Sequence, residues 1–370
     1  MPTIFIKDDL RAAVEAASGG RQTVLYTAKG QPSYMNVIPK FNLEDVADVP
    51  GSLGVGVHPA FIVNGIEKSE FFYGTYQGII KNGELLSLPN VDPSRTREFD
   101  TYINTARANG SGWHVGTNVE WAALMLWCHK NGFVPRGNSS YGRSGDAAYE
   151  TARRNDGAAP GLSTGNPGIL TGSGPASWRH DNTPGGISDM AGNIWEWQAG
   201  MRLVEGELQI IPNNDAVTAD LSYASAAWKA IRLSDGALVA PGTAGTAKFD
   251  SPTDTTVGIG GAAILSTNIV NRNGAVGDNT SAAGVLDATF NGTTLAAGVT
   301  VPALLLALGV YRHKDLADGD RLYVRNYGER QALRGGSWGN GAAAGIRALS
   351  LASTRTLAVG DFGARPAFVL

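Results

Sequence analysis

The chain has 370 residues, 43% hydrophobic and 17% charged, enough apolar material for a packed core and enough length for two average domains or one large domain with an insertion. A formal net charge of −3 leaves no basic stripe for electrostatic binding of nucleic acid, so no nucleic-acid partner is expected. The single cysteine, Cys128, excludes an internal disulfide framework and any multi-cysteine metal site, and 49 glycines favour short strands and loops over a helical protein.

Residues 1–45 read as a small N-terminal attachment module. Ile4–Ile6 is strand-like, and Asp8 to Ala17 places Leu10, Val14 and Ala17 at helical spacing before Gly19-Gly20 stops the helix. Thr23–Tyr26 and Tyr34–Ile38 follow as strands. The opening segment carries no apolar core of a signal peptide, and no run of 18 apolar residues exists, so synthesis in the cytoplasm without membrane insertion is expected. From His58 the pattern becomes β: Asn64-Gly65 and Asn82-Gly83 each separate two short apolar runs, the strongest local signal for a hairpin.

One helix is well marked. Thr117 and Glu120 form a capping box, in which hydroxyl and carboxylate satisfy reciprocal backbone N–H groups, and Trp121, Leu124, Met125 and Cys128 then share a face. Cys128 therefore reads as a small buried hydrophobe. Residues 131–190, rich in Gly, Ser and Asn, read as a long structured loop region. Residues 205–325 form an irregular insertion with strand-like pieces at Leu208–Ile211, Ala237–Ala240 and Ala262–Leu265 and a helix candidate at Val301–Tyr311.

Three segments carry a resemblance. The run from Gly112 to Trp121 (GWHVGTNVEW) is similar to the RLPTEAEWE segment of the formylglycine-generating-enzyme (sulfatase-modifying) family. Asp189–Trp197 (DMAGNIWEW) resembles its DMAGNVWEW motif, and Leu333–Trp338 (LRGGSW) its LRGGSW strand. The resemblance implies an α+β, C-type-lectin-like fold over about 46–370, in which the two ends of the domain meet in a small sheet. It also implies a structural calcium ion at Asp189, Gly192, Ile194 and Glu196, an oxygen-only ligand set of the kind calcium takes; no cofactor is otherwise required.

A closer likeness lies at the C-terminus. The 23 residues between Trp338 and the Phe-Gly-Ala-Arg run at 362–365 match, without a gap, the end of the variable proteins of diversity-generating retroelements, phage receptor-binding proteins of the major-tropism-determinant type. On that alignment the recognition segment is about 337–362. Its varied, ligand-facing positions fall on Ser337, Gly339, Asn340, Gly341, Ala343, Ser350, Ala352, Ser353, Leu357, Val359, Asp361 and Phe362, with Leu357 and Phe362 as apolar anchors. Trp338, Arg347, Leu349, Leu351, Gly363 and Arg365 fall on scaffold.

The likeness implies a host-surface receptor as partner, attachment to phage tail components through the N-terminal module, a homotrimer, and residence in the virion. A bacterial ligand-binding variable protein without a phage role is the alternative. An enzyme of the sulfatase-modifying type is a distant third, because that chemistry needs cysteines near the C-terminal groove and only Cys128 is present. The histidines (His58, His114, His129, His180, His313) show no metal-ligand spacing, so catalysis is not expected.

Overall fold

The computed structural model describes residues 8–252, 260–312 and 319–370. The expected strand at Ile4–Ile6 and His313 lie outside them. The fold is α+β and mostly sheet, with few helices. None of its described helices is long and apolar enough to cross a membrane.

A five-stranded antiparallel sheet takes strands from distant parts of the chain, in the order Gln22–Tyr26, Pro32–Pro39, Glu70–Gly74, Pro366–Phe368 and Trp113–Val115. The last strand of the chain thus fills the gap between 70–74 and 113–115, and Val369 N–H donates to the Gly112 carbonyl at 3.1 Å. Alternation sorts the two faces. Phe71 and Tyr73 point to the main core, while Phe72 packs with Met35, Trp113 and Phe368 on the other side. Residues 22–39 do not stand apart as a module: Pro32–Pro39 pairs with Glu70–Gly74 over five residues, so no break in the sheet occurs at residue 45. The helix Asp9–Ser18 lies on this edge, started by Asp8, whose carboxylate accepts from Arg11 N–H, and ended by Gly19 at φ 63°.

The helix Asn118–Lys130 lies at the centre of the molecule. Its capping box forms as the sequence predicts, with Thr117 N–H on Glu120 Oε2 at 2.9 Å and Glu120 N–H on the Thr117 hydroxyl at 3.2 Å. It is buried on all sides rather than on one, since Val119, Ala122, Ala123 and Leu126 are covered along with the expected face. A second helix, Phe99–Arg107, adds to the elements expected from sequence, with Phe99, Tyr102, Ile103 and Ala106 at helical spacing and all buried.

The second sheet has twelve strands. Its middle is Trp195–Val204, Glu329–Gly335 and Gly345–Ser353, paired antiparallel in that order. The insertion extends this sheet on both sides. Arg321–Val324 runs parallel to Gly345–Ser353, with Leu286–Thr289 beyond it. On the other side Glu207–Ile210 pairs with Trp195–Val204 and is followed by Lys248–Asp250 and Ile264–Ser266. Val301–Tyr311 supplies only one short helix, Ala303–Ala307, because Pro302 and Gly309 bound it. Residues 131–194 are held by isolated bridges and one short 3-10 turn, as their composition predicts.

Candidate functional site

The Asp189–Trp197 motif turns sharply before becoming a strand. Asp189, Gly192 and Asn193 have φ of 58°, 73° and 63°. At Gly192 a side chain would also collide with the Asn138 backbone, so both conformation and space require glycine. Trp195 and Trp197 then share one face of the strand. Trp195 meets Tyr323 and Trp197 meets Phe99 and Phe362, all edge to face at 5.4 to 5.9 Å. Both indoles are core.

Glu196 points the other way, into a fully buried polar hub. Arg365 grips its carboxylate in a two-pronged pair, Nε to Oε2 at 2.9 Å and Nη2 to Oε1 at 2.7 Å, with both side chains at 0% exposure. Arg365 also donates to the Gly74 and Ser188 carbonyls at 2.9 Å each and lies over the Tyr73 ring. Burial works against its charge, and the Glu196 carboxylate more than offsets this, so the guanidinium is held charged. The pair bolts the two sheets together, since Glu196 belongs to one and Gly74 to the other.

The expected calcium ligands do converge. The carbonyl oxygens of Asp189, Gly192 and Ile194 and Oε1 of Glu196 surround one point, and the Nε2 of Gln77 sits there, at 3.1, 3.4, 3.2 and 3.0 Å respectively. The Asp189 carboxylate accepts from Gly172 N–H at 2.8 Å. As folded, the four oxygens fit an amide donor and not a metal, whose bonds to oxygen would be about 2.3–2.6 Å.

Arg334 is equally buried and serves as scaffold. It donates to Asn118 Oδ1 at 2.9 Å and to the carbonyls of Arg347, Leu308 and Gly309. Arg347 lies over the Phe290 ring, and its backbone N–H meets Asp320. Cys128 is buried against the His180 carbonyl, and burial pushes its thiol up, away from the reactive thiolate.

The recognition segment divides in two. Ser337, Ser350, Ala352 and Ser353 are buried, at 3 to 6% exposure, and do not face solvent as the alignment predicts. For Ser350 and Ala352 the reason is the insertion, whereas Ser337 is folded under its own turn, with its hydroxyl on Asn340 Oδ1 at 3.0 Å, and Ser353 pairs with Gln331. Leu322, Tyr323 and Val324 lie beside Leu349, Ser350 and Leu351, and Arg325 donates to the Ala352 carbonyl at 2.6 Å. Spacing from Trp338 to Phe362 reads the strand but not what covers it. Phe362 is half-buried with its ring 5.4 Å from Trp197, which makes it a packing contact rather than a free anchor.

The remaining positions reach the surface. Gly339 is exposed and Asn340, Gly341 and Ala343 are half-exposed on one turn, where Asn340 Oδ1 accepts from Ser337 N–H at 2.7 Å. Leu357, Val359 and Asp361 are half-exposed on the 354–361 loop. Arg95, which sequence reading missed, joins the two. Its guanidinium lies 5.4 Å over the Trp338 ring, contacts the Gly360 carbonyl, and is held by Asp92 and Asn166. Tyr141 lies beside Gly339.

The same loop leads into a groove of about 610 Å³ between the Phe99–Arg107 helix and the insertion. Thr354, Arg355 and Thr356 line one side, Asn104 another, and Tyr223, at 58% exposure, a third. Arg355 fixes the floor: it pairs with Asp100 at 2.6 Å and Glu329 at 3.4 Å and donates to the Leu221 carbonyl at 2.6 Å. Only the Arg-Thr pair amid small residues hinted at this in sequence. Comparison with known proteins returned no matching family model and no matching curated protein.

Proposed function

We propose that the protein is a non-enzymatic binding protein with a C-type-lectin-like fold that recognises a receptor on the host-cell surface from the tip of a phage tail fibre. The observation that carries the reading is the continuous face made by 339–343, Trp338 with Arg95, and 357–361, presented on strands whose buried polar groups are locked by Glu196, Arg334 and Arg365. Rigid scaffolds that expose variable loops are how binding surfaces are usually built. The groove beside Thr354 and Tyr223 continues that face into the insertion. The C-terminal strand lying between 70–74 and 113–115 supports the lectin-like assignment. The exposed helix Asp9–Ser18 is the attachment element, and three copies give a weak site useful avidity.

The test is binding of labelled protein to a panel of bacterial cells. Asn340→Arg and Val359→Arg should abolish binding while Val55→Arg, on an exposed position elsewhere, leaves it intact. Binding by both face variants at the level of the parent would defeat the proposal.

A further inference from the structure

We infer that the side-chain amide of Gln77 does in this chain what a calcium ion would do at the Asp189–Glu196 turn, and that the fold is therefore independent of calcium. The argument starts from orientation, because only the amide nitrogen can serve four acceptors. Ile169 N–H donates to Asn193 Oδ1 at 2.9 Å, and a backbone donor cannot be reversed. Asn193 Nδ2 must then point the other way, and it donates to Gln77 Oε1 at 2.7 Å. That pins Gln77 Oε1, so Nε2 is the atom that faces the four oxygens. Asn138 Nδ2, 3.2 Å from Asn193 Oδ1, reinforces the same sense. Three amides and one backbone N–H thus form a directed chain ending in the hollow.

Charge and distance agree with this occupant. The only anionic ligand, Glu196, is already neutralised by Arg365, whose Nη2 lies 2.7 Å from the same Oε1 that Gln77 meets. A divalent ion at the centre would sit beside that guanidinium with only the Asp189 carboxylate, whose Oδ2 already accepts from Gly172 N–H, left to balance it. The surrounding oxygens stand 3.0 to 3.4 Å from the central nitrogen, the spacing of N–H···O contacts and well outside calcium–oxygen bonds. Two N–H groups shared among four acceptors close the hollow and tie the 74–78 segment to the motif.

The test uses the full chain, with calcium chloride and chelator as the two arms and terbium luminescence, sensitised by Trp195 and Trp197, as the direct readout. The parent should melt at the same temperature in both arms and give no sensitised emission. Gln77→Glu turns the donor into a second carboxylate facing four oxygens. It should lose several degrees in chelator, regain them in calcium and acquire terbium emission. Gln77→Met, which removes the donors without adding charge, should melt lower than the parent equally in both arms. A parent whose melting temperature rises with calcium, or a Gln77→Met variant as stable as the parent, overturns the inference. If Gln77→Glu does not fold in either arm, the parent and Gln77→Met still decide it.

Discussion

The Glu196–Arg365 hub and the 337–362 segment make opposite use of their side chains. In the hub, the charges of Glu196 and Arg365 and the Gln77 amide meet partners of this chain, with the ion pair at 0% exposure. In the segment, the positions that reach solvent, from Gly339 to Ala343 and from Leu357 to Asp361, spend few side-chain bonds on the fold. The contrast teaches that the most recognisable motif in this sequence, DMAGNIWEW, is architecture, whereas the proposed binding face is a stretch of small residues beside it. Breaking the hub should cost stability, and altering the surface should cost binding alone.

The largest effect is expected at Arg365→Ala. Removing one partner leaves Glu196 as an unpaired charge in a dry site, and orphans two carbonyls besides. Breaking buried pairs in this way costs about 3–5 kcal/mol. Chemical denaturation should show a midpoint shift of that size or a protein that does not fold. A loss below about 1 kcal/mol would mean that the hub is hydrated and does not tie the sheets together.

The next effect is a dependence on pH. His58 is buried against Phe41 and Phe61 and accepts from Ala60 N–H through Nδ1; burial pushes it down to about 3. His180, also chiefly through burial, is pushed down to about 4, and its Nδ1 accepts from Ile187 N–H. Both are neutral when folded, and the unfolded chain binds their protons below about 6.5. Stability therefore falls as pH drops from about 6.5, by up to about 1.4 kcal/mol per pH unit for each histidine, until the folded groups titrate near 4 and 3. Unfolding free energies across that range should lose part of this slope in His58→Asn, which keeps an acceptor for Ala60 N–H. An unchanged slope would show that His58 is already protonated in the folded state.

Much of the frame was legible because its signals are local. The capping box at Thr117 and Glu120 and the two Asn-Gly hairpins need only neighbours in sequence, and each forms where predicted, with Asn64 and Asn82 at φ 50° and 51°. What could not be read depends on residues far apart. Gln77 lies more than a hundred residues from the oxygens it meets, with nothing around Thr75-Tyr76-Gln77 to mark it. Arg95 joins the face only because Trp338 and Gly360 come to it. The strand Arg321–Val324 reads in sequence as part of an irregular insertion, and in the fold it lies along Leu349–Leu351. Phe99, Tyr102, Ile103 and Ala106 are a different case: their helical spacing is itself a local signal.

The smallest effects divide the segment internally. Leu357→Ala and Val359→Ala alter half-exposed loop positions and should move the unfolding free energy by no more than about 0.5 kcal/mol while reducing cell binding. Phe362→Ala removes a ring that packs on Trp197 and should cost about 2–3 kcal/mol, less than a fully buried ring because half of it is already wet. Ala352→Leu forces extra volume between the insertion and the 345–353 strand and should cost about 1–3 kcal/mol. Denaturation and cell binding measured on the same four variants separate the two classes: the loop pair loses binding at constant stability, and the other pair loses stability first. If Ala352→Leu leaves the midpoint in place and changes binding, the strand is open to ligand after all. Ser350, Ala352 and Ser353 then return to the contact surface, with the insertion strand having to leave its edge for the receptor to reach them.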